Sequence, residues 1–494
     1  MEKKVRTRFA PSPTGFLHIG SVRTALYSYA LAKRNKGTFV LRIEDTDKKR
    51  YVKGSVENLI KILHLFGIDY DEGPVKGGKF GPYVQSQRLA LYKQKALELV
   101  KGGYAYYCFL TKEELVNLKL NKKIAFRSPY RDLSSSEVKK RLEDRQTYVI
   151  RLKMPVNRTI EIYDEILGKV SWNSDDVDDT VLLKADGFPT YHLGVVVDDA
   201  LMEITHITRG IEWLPSVPKH VIIYEGLNYI FPKVAHMPLI LDPSGGKLSK
   251  RKGAVSTEEF LREGYLPEAI LNFIMLLGWS PCLDRKLGEK EKEIFTLDEF
   301  VDLFDMKDIN KASPVFDRKK LKWFNGQYIR KTELLELIRK FKSWCKVYKG
   351  KSGLTEIILK DKTLDKKVAL VKDRVSLLSD IYQSIKFFYE AVPFPWMSEV
   401  KGLKDKTLDE ISEVVKDLIT VFQSVLREDN YSQEKWVVEM RRLADKHDWK
   451  AGDVFMVLRL MVCRSQYSPP LYESLVIMGR TEVIARLMAY LNNK

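Results

Sequence analysis

The apolar positions at the start of the chain predict strands and helices in alternation. Residues 4–10 and 38–43 are rich in β-forming side chains and predict strands, whereas residues 19–33 and 55–65 predict helices. A loop marked by proline and glycine, residues 11–15, separates the first strand from the first helix. This order predicts a parallel sheet covered by helices.

The pattern changes from about residue 102 to residue 189, where short strand-like runs lie among polar helices, and this change predicts an inserted α+β segment. The runs are residues 147–152 and 181–184. Residues 191–197 and 239–241 are again apolar and rich in β-formers, so we expect them to return to the sheet. After about residue 266 the pattern is helical to the end.

Composition narrows the class of protein. A chain of 494 residues with 45% hydrophobic content can form about three compact domains or more. No run approaches the roughly 18 apolar residues that span a bilayer, and the N-terminus lacks the apolar core of a signal peptide, so we expect a cytoplasmic protein without membrane contact. The formal net charge of +17 favours polyanionic partners, although on charge alone an ordinary basic surface is an equal alternative.

Cysteine usage argues against a disulfide framework and against a cysteine-rich metal site. The 4 cysteines are far apart, and no two form a Cys-x-x-Cys pair: Cys108, Cys282, Cys345 and Cys463. We therefore expect them to be small buried apolar side chains.

Two motifs carry candidate chemistry. His18 to Ser21 open the first predicted helix, where free backbone N–H groups and the helix dipole favour phosphate. Gly20 has no Cβ, so a flat ring such as adenine could approach the backbone there. The second motif, residues 247–251, places three cations and a hydroxyl in a glycine-bordered loop, where they could stabilise charge on a triphosphate. Either motif alone is weak evidence, because a histidine near a glycine is usually structural and a basic loop is usually solvated.

In this order, the two motifs resemble the signatures of class I aminoacyl-tRNA synthetases, and nucleotidylyltransferases share the first of them. The flanking residues are more specific. Residues 8–20 resemble the first signature of bacterial-type glutamyl-tRNA synthetases, and further stretches resemble the same family: 23–26, 41–47, 83–88, 189–192 and 206–214. The resemblance is dense over the first 280 residues or so and extends to the C-terminus mainly as length and helical character.

The resemblance implies a Rossmann-type α/β catalytic domain with an α+β insertion, followed by all-α domains. The boundaries that follow for the catalytic domain are 1–101 for its first half and 190–245 for its second half, with an acceptor-stem-binding insertion at 102–189 between them. A stem-contact domain with the basic loop follows at 246–322, and two anticodon-binding helical domains follow at 323–392 and 393–494. A basic run in the helical part fits this reading: Arg339, Lys340, Lys342, Lys346, Lys349, Lys351, Lys360, Lys362, Lys366, Lys367, Lys372 and Arg374. Any one of these residues is more simply a solvated surface group.

The resemblance also implies a reaction in which ATP, with Mg²⁺, activates glutamate, and the glutamyl group then passes to the terminal adenosine of tRNA. A glutamate site needs guanidinium groups for carboxylates and one acid for the ammonium. By the family pattern that site is formed by Arg8, Ala10, Ser12, Glu44, Tyr191 and Arg209. The ATP site is formed by Pro11, Thr14, Gly15, His18, Gly20, Ser21, Glu212, Trp213 and Lys250. The catalytic motifs supply His18, Gly20, Lys247, Ser249, Lys250 and Arg251.

The chain departs from the family pattern at several positions, including Ser21, Val195 and Ile211. Some relatives bind zinc in the insertion through a Cys-x-Cys pair, a tyrosine and another cysteine. Here Cys108 has no second cysteine nearby, and residues 127–133 have none, so Tyr130 alone cannot complete the site. We therefore expect no structural zinc and assign no metal ligand.

The expected partners are tRNA(Glu), glutamate and ATP, for a monomeric enzyme; whether tRNA(Gln) is also charged stays open. Three alternative kinds of protein would differ from this sequence in features that can be stated. A glutaminyl-tRNA synthetase would usually have asparagine at the position of Asp47, and a truncated paralogue that modifies a tRNA base would end near residue 300. Another nucleotidylyltransferase, or an inactive tRNA-binding protein, would lack the second motif or the glutamate pocket.

Overall fold

The computed structural model describes residues 4–120, 125–248, 256–281, 292–350, 352–390, 400, 402–424 and 432–492. The chain divides into two units, Met1–Phe260 with Ile270–Arg318 and Leu261–Ala269 with Lys319–Lys494. Among the helices of the described residues, none is long and apolar enough to cross a membrane.

All strands found in the described part of the chain lie in the first unit. In chain order they are β1 (Arg6–Phe9), β2 (Thr38–Leu41), β3 (Ala105–Cys108), β4 (Val149–Leu152), β5 (Thr159–Asp164), β6 (Gly168–Asn173), β7 (Val181–Leu183), β8 (His206–Gly210) and β9 (Lys233–Met237). The strands predicted at residues 4–10, 38–43, 147–152 and 181–184 are confirmed as β1, β2, β4 and β7.

Parallel pairing defines the part of the sheet that carries the site. Strand β1 pairs in parallel with β2, with Arg8 opposite Val40, and β8 pairs in parallel with β9. At its start, β1 is joined to β8 because the Thr205 amide donates to the Arg6 carbonyl at 2.9 Å. The hairpin of β5 and β6 continues the sheet beyond β9, and β3, β4 and β7 form a separate antiparallel sheet.

Ten α-helices begin before residue 318 within the described residues. They are α1 (Ile19–Arg34), α2 (Ser55–Leu65), α3 (Leu89–Lys101), α4 (Lys112–Leu120), α5 (Ser135–Glu143), α6 (Tyr191–Leu201), α7 (Val217–Gly226), α8 (Thr257–Glu263), α9 (Pro267–Met275) and α10 (Leu297–Leu303). The predicted helices at residues 19–33 and 55–65 are confirmed as α1 and α2. Helix α1 is anchored by the buried Arg23, which donates to the carbonyls of Pro238 and Leu277.

Two predicted strands are wrong. Residues 191–197 are the first turns of helix α6, because Leu193 and the three valines are buried against α3 and α7, and this packing overrides their β propensity. Residues 239–241 follow strand β9 rather than forming a strand. Pro238 ends β9 there, since proline has no N–H to donate to a sheet.

In the described residues of the second unit, all regular secondary structure is helical. Its remaining helices are α11 (Arg318–Lys331), α12 (Leu334–Tyr348), α13 (Gly353–Lys360), α14 (Leu364–Val371), α15 (Leu378–Ile385), α16 (Leu408–Ser424), α17 (Gln433–Lys446), α18 (Ala451–Cys463), α19 (Leu471–Met478) and α20 (Arg480–Asn492). One apolar core gathers Phe341 and Trp344 of α12, and another gathers Phe422, Trp436 and Leu458. The helical prediction for this part of the chain is confirmed.

Candidate active site

The carboxyl ends of β1 and β2 bring the first motif to one edge of the sheet. The Arg42 amide donates to the Phe9 carbonyl at 3.0 Å, and the Glu44 amide donates to the Pro11 carbonyl at 3.0 Å. The loop after β1 is therefore held along the residues that follow β2. Ligands in open α/β sheets bind at this edge, so the fold places Arg8, Pro11 and Glu44 where a substrate site is expected.

A buried charge cluster lies under this edge. Arg8 Nε is 3.1 Å from Asp199 Oδ1, and Arg42 Nη1 is 2.7 Å from the same oxygen. Arg42 Nη2 also binds Glu44 Oε1 at 2.9 Å. The Arg42 side chain is fully buried and that of Asp199 is 1% exposed. Glu44, the expected ammonium ligand, is thus held in place by an arginine.

The cluster extends to a second aspartate. Asp198 accepts from Arg88 Nε at 2.8 Å, from Gln85 Nε2 at 2.9 Å and from the Tyr92 hydroxyl at 2.8 Å. Arg42 Nε lies 3.6 Å from Asp198 Oδ2. The buried arginine–carboxylate cluster therefore contains three cations and three anions: Arg8, Arg42, Arg88, Glu44, Asp198 and Asp199. This balance matters because an unpaired charge is costly in a buried position.

Arg209 and Tyr191, both predicted for the glutamate site, are in contact. Arg209 Nη1 donates to the Tyr191 hydroxyl oxygen at 2.9 Å, and Arg209 Nε donates to His236 Nε2 at 2.9 Å. Burial raises the pKa of Tyr191, and the charges of Arg209, Glu44 and Arg8 all act on its hydroxyl. Arg8 Nη1 lies 3.4 Å from the Thr208 carbonyl, next to Arg209 in β8. The structure thus brings the predicted guanidinium groups and the tyrosine together.

The wall beside Tyr191 consists of aromatic and neutral rings. Tyr191 and Trp213 have ring centroids 4.3 Å apart, and Trp213 is 40% exposed, so part of its side chain is accessible. Both His192 and His220 contact the Tyr191 ring, and His192 Nδ1 is 3.2 Å from His220 Nε2. Burial lowers the pKa of His192 to about 4 and lowers that of His220 well below its ordinary value. Both imidazoles are therefore uncharged near neutral pH.

His18 caps the N-terminus of α1. Its Nδ1 accepts from the Ser21 amide at 3.2 Å, and its Nε2 lies 3.0 Å from the Ser21 hydroxyl. A Cβ at Gly20 would lie 3.2 Å from the His18 ring, so glycine permits this ring position. In the loop before the helix, the Thr14 amide donates to the Ser12 carbonyl at 2.8 Å. This positive end of α1 carries no acidic residue in its first turn and fits an anion.

The second motif is described only at its first two residues. Lys247 Nζ is 3.2 Å from Glu212 Oε1, which joins the motif to the turn after β8. Ser249, Lys250 and Arg251 lie outside the described residues. On the far side of them, Ser256 pairs with His18 through the backbone. The described residues on both sides of the motif therefore contact predicted site residues.

Three other predicted site residues lie in the loops and turns that follow β1 and β8. Ala10 is partly exposed directly after β1, Gly15 has a φ of 156°, and Glu212 lies in a short 3₁₀ turn with its side chain toward Gly210. A Cβ at Gly210 would lie 2.0 Å from Glu212 Oε2, so a larger residue there would require the Glu212 carboxylate to move. Four residues of the site are not predicted by the sequence motifs: Asp198, Asp199, Asp164 and His236. A signal for the first two was present, because two acids directly following a buried apolar run need counter-charges.

The thiol of Cys108 in the insertion is enclosed by protein groups. Its Sγ lies 3.4 Å from the Ser128 hydroxyl and 3.4 Å from Arg151 Nε, and Tyr130 packs on Phe109 with ring centroids 5.8 Å apart. Among the described residues, no three His, Cys, Asp or Glu side chains are grouped so that they could hold a metal. Cys108, Cys345 and Cys463 are buried free thiols, as predicted, and Cys282 lies outside the described residues.

The basic run of the second unit is not one uniform face. Lys367 is buried and binds Asp361 at 2.9 Å, and Lys340 binds Glu268 at 2.6 Å. Lys372 and Arg374 lie in a short 3₁₀ turn after α14, and Arg374 is exposed. Lys351 lies outside the described residues. Reading Lys367 as a solvated surface group is wrong, because its ammonium is paired inside the helical bundle.

The chain is similar to known proteins in family, sequence and structure. Residues 4–323 match the family of class I tRNA synthetases (E and Q), catalytic domain, and residues 333–491 match an anticodon binding domain. A glutamate–tRNA ligase of Chlorobium phaeobacteroides is 40% identical over 98% of this chain and 97% of that protein, and one of Finegoldia magna is 40% identical over 99% of both. The crystal structure of a glutamate tRNA ligase from Elizabethkingia meningosepticum, in complex with its amino acid, has 36% identity and a TM-score of 0.83, with 99% of each chain covered.

Proposed function

The chain belongs to the glutamate–tRNA ligase family of class I synthetases. We propose that it activates L-glutamate with ATP and transfers the glutamyl group to the 3′-terminal adenosine of tRNA(Glu). The observation that carries the proposal is the convergence of Arg8, Arg209 and Tyr191 at the edge of the sheet. These groups donate hydrogen bonds. They match a carboxylate, which only accepts.

The glutamate side chain binds between the two guanidinium groups. Arg8 and Arg209 pair with its carboxylate, and Tyr191, whose oxygen already accepts from Arg209 at 2.9 Å, donates its proton to the same group. Glu44 receives the α-ammonium, and Ala10 and Ser12 line the pocket. Glutamine would place an amide N–H₂ against donors, and leaving charged donors unpaired costs roughly 1.5–3 kcal/mol for each lost hydrogen bond.

ATP binds at the N-terminus of α1 and beside Trp213. The free N–H groups of the first turn, with His18 and Ser21, receive phosphate oxygens. The phosphates lie next to Pro11, Thr14 and Gly15. Gly20 leaves room for the adenine ring, and Glu212 and Trp213 lie on the other side of the nucleotide. Mg²⁺ enters with ATP as part of the substrate.

The chemistry proceeds in two displacements. A glutamate α-carboxylate oxygen attacks the α-phosphorus of ATP, the bond to the bridging oxygen breaks, and pyrophosphate leaves with the electron pair. The 2′-hydroxyl of the terminal adenosine then attacks the activated carbonyl, loses its proton, and expels AMP. Lys247, Ser249, Lys250 and Arg251 stabilise the phosphate charge, so positioning and charge stabilisation supply the rate and no protein nucleophile is needed.

The remaining parts serve the tRNA. We assign residues 102–189 to the acceptor stem, 246–322 to stem contact, and 323–392 and 393–494 to the anticodon, within the catalytic halves 1–101 and 190–245. Splayed anticodon bases require stacking partners and cations, and the exposed part of the basic run provides the cations. The enzyme acts as a cytoplasmic monomer, and its insertion folds without zinc.

The test is charging of purified tRNAs with labelled glutamate. We expect ester formation on tRNA(Glu), and the same assay with tRNA(Gln) shows whether the anticodon reader is relaxed. A protein that forms no glutamyl ester on either tRNA, while binding ATP, would refute the proposed function. The Lys250→Ala variant should slow activation by roughly a hundredfold or more.

A further inference from the structure

A chain of three buried side chains leads away from the glutamate site. Arg209 Nε donates to His236 Nε2 at 2.9 Å, and His236 Nδ1 lies 2.6 Å from Asp164 Oδ2. The side chains of His236 and Asp164 are fully buried, and Arg209 is 7% exposed. Asp164 ends strand β5 of the insertion and lies opposite Val234 of β9. None of these contacts follows from the two sequence motifs.

The chemistry of the three groups fixes the imidazole tautomer. A guanidinium has only donors, so His236 Nε2 must accept, and the ring proton must sit on Nδ1, where it is donated to Asp164. If the His236 ring were protonated, its Nε2–H would face the Nε–H of Arg209, and the two donors would repel each other. Burial lowers the pKa of His236, although the hydrogen bond to Asp164 acts in the opposite direction, so the ring stays neutral.

Asp164 is surrounded by donors. Its Oδ1 accepts from the amides of Ile166 and Leu167 at 3.0 and 2.9 Å. Its Oδ2 accepts from the His236 amide at 3.1 Å and from His236 Nδ1. A carboxylate can satisfy all four donors, whereas an asparagine amide must turn an N–H₂ toward two of them.

We infer that Asp164 and His236 are positioning residues that fix the direction of the Arg209 guanidinium at the glutamate site. This inference rests on the proposed role of Arg209. With Nε held by His236 and Nη1 by Tyr191, the plane of the guanidinium cannot turn. Its position also keeps the Tyr191 oxygen occupied as an acceptor, so the Tyr191 proton points to the substrate. The buried aspartate thereby sets which donors the substrate meets.

Asp164→Asn is the first test, because it changes charge and hydrogen bonding at nearly constant shape. If the asparagine oxygen stays on the amides of 166 and 167, its N–H₂ donates to Nδ1, the ring proton moves to Nε2, and Arg209 is repelled. We expect the KM for glutamate in ATP–pyrophosphate exchange, measured with tRNA(Glu) present, to rise about tenfold to a hundredfold, the range for losing a hydrogen bond to a charged group. The KM for ATP should change little.

Two substitutions at His236 separate positioning from packing. His236→Gln keeps an acceptor that can reach Arg209, whereas His236→Leu fills a similar volume without one. We expect the glutamine variant to retain a glutamate KM closer to that of the parent than the leucine variant. Equal glutamate KM values for the two variants would overturn the positioning role of His236.

Two further variants make the outcome decisive. Asp179→Asn is the matched control, since Asp179 is a buried carboxylate in the same insertion that binds Tyr106, Met154 and Arg131 instead. It should leave the glutamate KM unchanged even if it lowers stability. Arg209→Gln tests the premise: a normal glutamate KM there refutes the role of Arg209 itself. A raised KM for Arg209→Gln with a parental KM for folded Asp164→Asn overturns the relay alone.

Discussion

Replacing Asp199 by asparagine tests the buried arginine–carboxylate cluster most sharply. Asp199 Oδ1 contacts Arg8 Nε at 3.1 Å and Arg42 Nη1 at 2.7 Å, and the side chains of Arg42 and Asp199 are 0% and 1% exposed. The substitution keeps the shape of the side chain and removes one of the three negative charges. One net positive charge is then left in a region from which water is excluded.

The expected cost follows from that imbalance. Removing one partner of a buried ion pair destabilises a protein by about 3–5 kcal/mol, and we take the lower end because Glu44 and Asp198 still partly compensate Arg42. A loss of about 3 kcal/mol corresponds to a melting temperature lower by roughly 5–10 °C for the catalytic unit. Because Arg8 would also lose its anchor, the KM for glutamate should rise.

Scanning calorimetry of the full chain at neutral pH measures the effect. Asp47→Asn is the control, since Asp47 pairs with Arg50 at 2.7 Å on the surface, where the side chains are 42% and 73% exposed. The melting temperature of Asp47→Asn should equal that of the parent. If Asp199→Asn also melts with the parent, the cluster does not hold the site as its geometry indicates. A lower melting temperature with an unchanged glutamate KM would show that Asp199 supports the fold but not Arg8.

Three further predictions concern the glutamate site, the helical unit and the insertion. Arg8→Lys keeps the charge but loses the planar fork, so kcat/KM for glutamate should fall by about tenfold or more; equal steady-state kinetics would count against the assignment. Burial opposes ionisation of Asp361, but hydrogen bonds from Tyr389 and Lys367 outweigh it and lower the pKa of this carboxyl from 3.8 to about 2. The ionised carboxylate of Asp361 therefore stabilises the fold above about pH 4, and this stabilisation is lost as the pH falls toward 2. In acid unfolding, the free energies of unfolding of Asp361→Asn and the parent should therefore converge over this range. A difference in the free energy of unfolding that stays constant would contradict this linkage. Elemental analysis of protein purified without added metal should find no stoichiometric zinc, because the thiol of Cys108 faces Ser128 and Arg151; one tightly held zinc per chain would refute this.

The parts of the fold that sequence could predict are those with local signals. The first strand, its proline-marked loop and helix α1 follow from periodicity and turn residues within 34 positions. The contact of Tyr191 with Arg209 was expected only through resemblance to a family, since 18 residues separate them and no local pattern joins them.

The errors have physical causes that lie outside the local sequence. Residues 191–197 are rich in valine, and only burial on several sides makes them a helix. The partners of Asp198 and Asp199 come from residues more than 100 positions away, so their pairing depends on the completed sheet. The same applies to Asp164, whose partner His236 is 72 residues distant.

The group formed by Arg8, Arg209 and Tyr191 consists of hydrogen-bond donors and should therefore select an amino acid with a carboxylate side chain. The most direct measurement is ATP–pyrophosphate exchange in the presence of tRNA(Glu), with glutamate and glutamine compared at matched concentrations. We predict exchange with glutamate, and a kcat/KM for glutamine lower by at least about a hundredfold, as expected when a site leaves charged donors unpaired. Exchange of equal efficiency with both amino acids, or with glutamine alone, would contradict the account.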